Sequence, residues 1–111
     1  MTGRFEILQS VNGKYSFRLI ASNGAIILSG EFFNTKYEAL QAVEKIRQNV
    51  TSIGKVIKKT SSDDYYYFVV VDENKKIIAK SEMYATESGR ENGIYSAILN
   101  SKEAQLDLER V

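Results

Sequence analysis

The sequence contains no cysteine, histidine, proline or tryptophan among its 111 residues. Without cysteine the chain has no disulfide framework, no thiolate nucleophile and no zinc–thiolate site. Without histidine it has no imidazole base, no serine-type catalytic triad and no imidazole metal ligand. The sequence therefore predicts no metal site and no cofactor, and it favours a protein that is not an enzyme.

An excess of one charge and long apolar runs are also absent. The 15 basic and 14 acidic side chains give a formal net charge of +1, whereas dedicated nucleic-acid-binding proteins usually carry a strong basic excess. The longest apolar runs, residues 25–28 and 68–71, are far shorter than the ~20 residues that span a bilayer. We therefore expect a cytoplasmic protein without a targeting segment, and the missing cysteines fit a reducing compartment.

An internal repeat organises the chain. When the sequence is shifted by 51 positions it aligns with itself without a gap, and ten of the 47 positions between residues 3 and 49 are identical. Chance would give about three identities at average composition. The apolar pattern is repeated as well, for example in Leu19 with Val70 and Phe33 with Tyr84. The alignment indicates a duplicated unit of about 50 residues.

Each unit has the pattern of three strands followed by a helix. In the first unit Phe5 and Ile7 alternate with charged residues, and Tyr15, Phe17 and Leu19 lie on one face of a second strand. The pairs Asn12-Gly13 and Asn23-Gly24 are typical of tight hairpin turns, in which both residues tolerate positive φ. A third strand is predicted from Ala25 to about Glu31.

The helix of each unit is marked by a change of period. Apolar residues with helical spacing form one stripe, consisting of Ala39, Ala42, Val43, Ile46 and Val50. Thr35 and Glu38 form a capping-box pattern at its start.

In the second unit we predict a helix over residues 86–100, with Ser88 as an alternative cap. Ile94, Ala97 and Ile98 face inward there, and Gly93 allows close packing on the sheet. The hairpin before the third strand is polar, and we expect Asn74 to supply its left-handed residue.

The stretches Ser81-Glu82-Met83-Tyr84 and Arg90-Glu91-Asn92-Gly93-Ile94 resemble the signature of the YegP-like family, small and often duplicated bacterial proteins of unknown function. The first unit carries the same pattern at residues 21–24, 26–29 and 31–33, and residues 3–7 resemble the family's start. The first helix departs from it, with Leu40-Gln41-Ala42-Val43 in place of the second motif. The resemblance covers residues 3–101. It implies paired β-β-β-α repeats related by a pseudo-twofold axis, and it implies no activity and no catalytic residues.

Glu31 and Glu82 are the only acidic residues kept in both units. A pseudo-twofold axis that brought them together would create a carboxylate pair suited to acid–base chemistry or a hard metal ion. The interpretation that we favour is structural. Each carboxylate ends a strand and accepts hydrogen bonds from the amides that start the following helix.

The second strand of the second unit is apolar on both faces. Tyr65, Tyr67, Val69 and Val71 lie on the face that carries Lys14, Ser16, Arg18 and Ile20 in the first unit. We therefore take Lys14, Arg18, Tyr65 and Tyr67 as a candidate binding surface, since tyrosines beside basic residues form platforms for single-stranded nucleic acid. The alternative, which we favour, is that residues 104–108 of the C-terminal segment or a protein partner cover this face.

The sequence as a whole predicts one α+β domain over residues 1–111. It consists of a first repeat at 1–51, a second at 52–101 and a tail at 102–111, with six mainly antiparallel strands and two helices packed on the sheet. We expect a non-enzymatic binding or structural module that acts through a sheet face or edge. Its partner is unknown, with self-association open, nucleic acid as the alternative ligand, and no membrane partner.

Overall fold

In the computed structural model, which describes residues 3–52 and 54–107, seven strands and two helices follow one another along the chain. They are β1 (Arg4–Gln9), β2 (Tyr15–Ile20), β3 (Ile26–Gly30), α1 (Lys36–Asn49), β4 (Val56–Thr60), β5 (Tyr66–Val71), β6 (Ile77–Ser81), α2 (Glu87–Glu103) and β7 (Gln105–Asp107). All seven strands form one sheet in the order β4-β5-β6-β3-β2-β1-β7. The predicted α+β fold of two β-β-β-α units is confirmed. The prediction of six strands was wrong, because β7 adds a strand.

The two units meet through their third strands at the centre of the sheet. β3 pairs antiparallel with β6 in the register Leu28–Ser81, Ser29–Lys80 and Gly30–Ala79. Residues that are 51 positions apart exchange places in this register, so Ser29 and Lys80 lie on either side of the pseudo-twofold axis. The two halves therefore share one continuous sheet.

Both helices cover the same face of the sheet, and the hydrophobic core lies between them. Phe5 and Phe17 meet edge to face there, with ring centroids 6.2 Å apart. The predicted helical stripe is buried, namely Ala39, Ala42, Val43, Ile46 and Val50. Full burial of one such Val, Ile or Phe side chain contributes about 1.5–3 kcal/mol, so this face holds most of the apolar stabilisation.

A β-bulge in each third strand turns an extra apolar side chain into the core. The register of β2 on β3 shifts between Leu19 and Ile20, which leaves Ile27 without a residue opposite it. The equivalent shift in the second unit leaves Ile78 unopposed. Both isoleucines are buried in the core. The repeated Ile-Ile pairs of the sequence thus correspond to repeated bulges.

The four hairpins share one turn geometry. In each of them the amide of the fourth residue donates to the carbonyl of the first at 2.9–3.0 Å, in the pairs Gly13–Ser10, Gly24–Ala21, Asp64–Ser61 and Lys75–Asp72. The fourth residue has a positive φ, between 64° and 89°. This is a type I turn followed by a left-handed residue. The prediction for Asn74 was wrong, because Lys75 is aligned with Gly24 and takes its left-handed position, and in the first hairpin Gly13 alone has a positive φ.

A threonine caps each helix. The Thr35 hydroxyl accepts a hydrogen bond from the Glu38 amide at 3.1 Å, and the Thr86 hydroxyl accepts one from the Gly89 amide at 2.9 Å. Thr86 is therefore the cap of α2, and the alternative at Ser88 is not used. α2 ends at Glu103, three residues beyond the predicted end and inside the segment predicted as a tail.

Gly93 lets α2 approach the sheet closely, as predicted. A Cβ atom at Gly93 would lie 2.5 Å from Cζ of the Tyr84 ring. The first unit has Ala42 and Phe33 at the equivalent positions. The larger aromatic side chain of the second unit, which carries an additional hydroxyl, is therefore matched by a smaller helical residue.

Arg47 of α1 holds the end of α2 and the start of β7. Its guanidinium donates to the Ser101 carbonyl at 2.8 Å and to the Ala104 carbonyl at 2.7 Å, and it lies 5.0 Å from the centroid of the Phe5 ring. These bonds satisfy carbonyls that a helix end leaves without partners. They direct the chain into β7, which pairs in parallel with β1. No helix among the described residues is long and apolar enough to cross a membrane.

Candidate binding surfaces

The face of the sheet opposite the helices carries the side chains that the sequence singled out. We call it the open face. The strand registers align one row of its residues across the sheet, in the order Glu6, Arg18, Ser29, Lys80, Val69 and Ile57. The pseudo-twofold axis passes between Ser29 and Lys80. The outer pair of the first unit, Glu6 and Arg18, is charged, whereas the equivalent pair of the second unit, Ile57 and Val69, is apolar.

The part of the open face that belongs to the first unit is built around a buried carboxylate. Glu6 is only 1% exposed. Its carboxylate accepts hydrogen bonds from Nε of Arg4 at 3.1 Å and from Nη2 of Arg18 at 2.9 Å. Both arginine side chains are partly exposed, so they neutralise the carboxylate from the solvent side. Glu6 could not be identified from the sequence, because only the pairing of β1 with β2 places it beside Arg18.

The part of the open face that belongs to the second unit carries Tyr65 and Tyr67. Tyr65 is 47% exposed, and Tyr67 is half-buried. Nζ of Lys80 lies 5.0 Å from the centroid of the Tyr67 ring, which is a cation–π contact. Lys80 could not be identified from the sequence either, since it is on β6 and becomes a neighbour of Tyr67 only through the sheet.

The four predicted surface residues do not form one cluster. Lys14 and Arg18 belong to β2 and the turn before it, whereas Tyr65 and Tyr67 belong to β5 and its preceding turn. β3 and β6 lie between these strands, and three strand spacings separate them by about 14 Å. The Arg18 guanidinium is also already bonded to Glu6. The open face therefore has two separate regions, one centred on Glu6 and one on Tyr67.

Residues 104–107 of the C-terminal segment do not cover the tyrosines. β7 lies beside β1 at one end of the sheet, and β5 lies near the other end. The prediction of cover by this segment was wrong for residues 104–107, because the end of α2 directs them to β1. Leu108, the last residue of the predicted cover, lies outside the described residues.

Glu31 and Glu82 do not form a carboxylate pair. They follow β3 and β6, and because these strands are antiparallel the two residues lie at opposite ends of the central pair. Both are exposed. The favoured structural interpretation was also wrong, because one first-turn amide of each helix bonds to the hydroxyl of Thr35 or Thr86, and no such amide in the part of the chain that the structure describes bonds to either carboxylate. Within residues 3–52 and 54–107, no group of three or more His, Cys, Asp or Glu side chains is arranged to hold a metal ion.

The outer edge of β4 is a second candidate surface. β4 pairs only with β5 among the strands that the structure describes. Lys55 and Ser61 exchange backbone hydrogen bonds with β5 and its turn. Since bonding alternates along an antiparallel pair, the peptide groups of Val56, Lys58 and Thr60 point outward.

The edge of β4 differs from the equivalent edge of the first unit. β1 is the equivalent of β4, and its outward groups are used: β7 pairs along it from Arg4 to Glu6, and the Gln105 amide donates to the Gly3 carbonyl at 3.3 Å. Val56 is aligned with Phe5, which lies opposite Leu106 of β7. In the described part of the chain no strand takes the corresponding place beside β4.

Comparison with known proteins gives consistent matches over most of the chain. A family model described as "Domain of unknown function (DUF1508)" matches residues 10–53 and 61–107, which is one match in each unit. The UPF0339 protein YegP of Escherichia coli (strain K12) is 37% identical over 100 residues, covering 90% of this chain and 91% of the relative. A UPF0339 protein of Shewanella oneidensis is 33% identical over 102 residues, covering 92% and 93% of the two chains.

Two solved structures have the same fold. The solution NMR structure of yegP from E. coli, described as a protein of unknown function, superposes with a TM-score of 0.92 at 34% identity and covers 98% of this chain and 94% of that chain. The solution NMR structure of UPF0339 protein SO3888 from Shewanella oneidensis gives 0.90 at 32% identity, with 96% and 91% covered. The names of these proteins mention no enzymatic activity, ligand or partner.

Proposed function

The chain belongs to the family described as "Domain of unknown function (DUF1508)", and on that premise we propose that it is a non-enzymatic protein-binding module. In this proposal an extended segment of a partner adds to the outer edge of β4 as a further strand. Backbone hydrogen bonds supply the affinity in this mode of recognition, and alternate side chains supply the specificity.

The observation that carries this proposal is the difference between two equivalent edges. The outward peptide groups of β1 bond to β7, whereas those of Val56, Lys58 and Thr60 in β4 face outward without a strand among the described residues. Because the two units share one fold, β1 with β7 shows that an added strand fits this geometry. The same place beside β4 is the one to which a partner would add.

β4 is held in position without a partner. Nη1 of Arg90, on α2, donates to the Lys59 carbonyl at 2.9 Å, and its guanidinium lies 5.2 Å from the centroid of the Tyr66 ring. Lys58 forms an ion pair with Glu91, also on α2. An edge that is already ordered loses little conformational entropy on binding, which supports its use as a docking strand.

A proline substitution tests this function. In Lys58→Pro the lost amide points outward, so no bond to β5 is removed, and proline is tolerated at such edge positions. We expect this variant to fold and to lose binding to peptides selected from a displayed library on the wild-type protein. Lys36→Pro is the matched control, because Lys36 is the first residue of α1 and follows extended Thr35, where proline is accepted.

The expected result is that selected peptides bind the wild-type protein and Lys36→Pro equally and do not bind Lys58→Pro. Folding of all three proteins is checked by their amide NMR spectra. Peptides that bind a folded Lys58→Pro as tightly as the wild type would show that binding does not use this edge.

The nucleic-acid alternative through Lys14, Arg18, Tyr65 and Tyr67 stays a prediction, as does the cytoplasmic location. Titration of a labelled single-stranded oligonucleotide at several salt concentrations tests the first, since such binding weakens steeply with salt.

A further inference from the structure

We propose that the segment accepted by β4 is acidic, with carboxylates opposite Lys58 and Lys59 and an apolar residue opposite Val56. This inference rests on the proposed function and names the chemistry of the partner.

The charge of β4 is the first argument. Residues 55–60 contain three lysines and no acidic residue. Lys58 and Lys59 are both exposed and alternate between the two faces of the strand. Their ammonium groups would therefore flank an added strand on both sides, and carboxylates in that strand would meet them in cross-strand pairs.

The ion pair of Lys58 does not remove this charge preference. The Lys58 and Glu91 side chains are each 52% exposed, and an exposed pair of this kind contributes at most about 1 kcal/mol. A carboxylate on an added strand can therefore share or replace Glu91. Lys59 forms no salt bridge within the described residues, and its backbone carbonyl is fixed by Arg90.

The same lysines disfavour a second copy of this chain as the occupant. If two β4 strands paired antiparallel around their central residue, Lys58 of one copy would face Lys58 of the other. Like charges directly opposite one another destabilise a strand pair, and lysines on edge strands are a common defence against self-pairing. The lysines therefore disfavour pairing of β4 with the β4 of a second copy and favour an added segment of opposite charge.

The apolar position follows from the equivalence of the two edges. Leu106 of β7 lies opposite Phe5, and Arg47 lies over Phe5 and holds the segment that enters β7. The second unit has Val56 in place of Phe5 and Ile98 in place of Arg47, and both are packed against the core. The site beside β4 therefore has an apolar side chain where the first unit has a guanidinium. This apolar surrounding favours an apolar residue at the corresponding position of the added strand.

Synthetic peptides test the proposal. The acidic probe has the central sequence Glu-Val-Ile-Glu-Glu-Thr, which places carboxylates opposite the three lysines in the parallel register that β7 adopts on β1. One control replaces the three glutamates by lysine, which reproduces β4 itself, and a second replaces them by threonine. The measurement is amide hydrogen exchange of Val56, Lys58 and Thr60 in the intact protein, together with the dissociation constant from NMR titration.

We expect the acidic probe to protect these three amides and to bind at least about tenfold more tightly than either control, with the preference reduced by salt. Lys58→Glu combined with Lys59→Glu should reverse the preference in favour of the lysine peptide. Lys36→Glu combined with Lys102→Glu changes the net charge equally at sites away from β4 and should leave the preference unchanged.

The outcomes separate this inference from the function on which it rests. Equal protection by the threonine peptide and the acidic peptide would overturn the acidic partner and leave strand addition intact. A failure of every peptide to protect the outward amides would count against strand addition itself. An acidic preference that survives in the Lys58→Glu/Lys59→Glu variant would also overturn the inference.

Discussion

At the scale of single residues, the two units place different pairs of side chains at equivalent positions of the open face. In the first unit Glu6 faces Arg18, and in the second unit Ile57 faces Val69 at the equivalent places. The charged pair needs Arg4 as a further donor to the carboxylate. The apolar pair needs no third residue. The second unit therefore shows which two side chains can replace the charged pair of the first unit.

Arg18→Val should destabilise the protein by about 2–4 kcal/mol, because Glu6 stays buried with one guanidinium fewer. The double variant Glu6→Ile/Arg18→Val reproduces the second unit and should unfold within about 1 kcal/mol of the wild type, since well-packed apolar residues replace buried ion pairs at little cost. Urea unfolding measures both free energies. A double variant as unstable as the single one would contradict this expectation.

Ionisation of the Tyr84 hydroxyl makes the stability of the fold depend on pH in the alkaline range. Burial, together with the nearby charge of Glu82, raises the pKa of Tyr84 above its ordinary value of 10.0. The folded state therefore favours the neutral phenol, and this contribution is complete below pH 10 and is lost as the pH rises from there through the folded-state pKa. We expect the midpoint of thermal unfolding to fall more steeply above pH 10 in the wild type than in Tyr84→Phe. Equal slopes would show that this hydroxyl titrates alike in both states.

At the scale of elements, the four hairpins adopt the same turn geometry although their residues differ. All four have one left-handed residue at the same position, although two of these residues are Asp64 and Lys75 and not glycine. Outside glycine the left-handed conformation costs roughly 1–2 kcal/mol. The fold therefore imposes this turn even where the residue does not favour it.

The aligned pair Gly24 and Lys75 allows this cost to be measured. No atom lies within 4 Å of a Cβ built on Gly24, so Gly24→Ala should cost about 1 kcal/mol through the backbone conformation alone. Lys75→Ala should change the free energy of unfolding by less than about 0.5 kcal/mol, because the position already holds a residue with a Cβ. Thermal unfolding of the two variants makes the comparison. A cost at residue 75 equal to that at residue 24 would refute the assignment to φ.

At the scale of the whole molecule, β7 breaks the symmetry of the duplication. It closes the β1 edge, and no described strand closes the β4 edge. The cause lies in the connections, because α1 is followed by β4 itself, whereas α2 is followed by the C-terminal segment, which Arg47 directs onto β1.

Removal of residues 105–111 should create a second open edge. We expect faster hydrogen exchange at the Phe5 amide, while the exchange of Tyr67 and its neighbours in β5 stays unchanged, because β7 lies at the other end of the sheet. Native-state hydrogen exchange provides the measurement. Altered exchange around Tyr67 would instead support cover of the tyrosines by the C-terminal segment.

The candidate surfaces could be predicted only in part. Alternation along β2 and β5 correctly assigned Arg18 and Tyr67 to the open face, because the side-chain direction in a strand follows from its period. Their neighbours Glu6 and Lys80 could not be found in this way, since each belongs to another strand. The outer edge of β4 was equally hidden, because an unpaired edge is defined by the absence of a neighbour.

The sequence by itself determined the duplication, the succession of strands and helices, and the residues that face the core. These properties depend on local periodicity and on helix caps such as Thr35 and Thr86. Both signals come from residues that are close together in the sequence. Only the tertiary structure decided that β3 and β6 pair at the centre, that β7 joins β1, and that β4 keeps an open edge. Strand neighbours are joined by backbone hydrogen bonds, which are the same for every residue type except proline, so the side chains alone do not specify which strands meet.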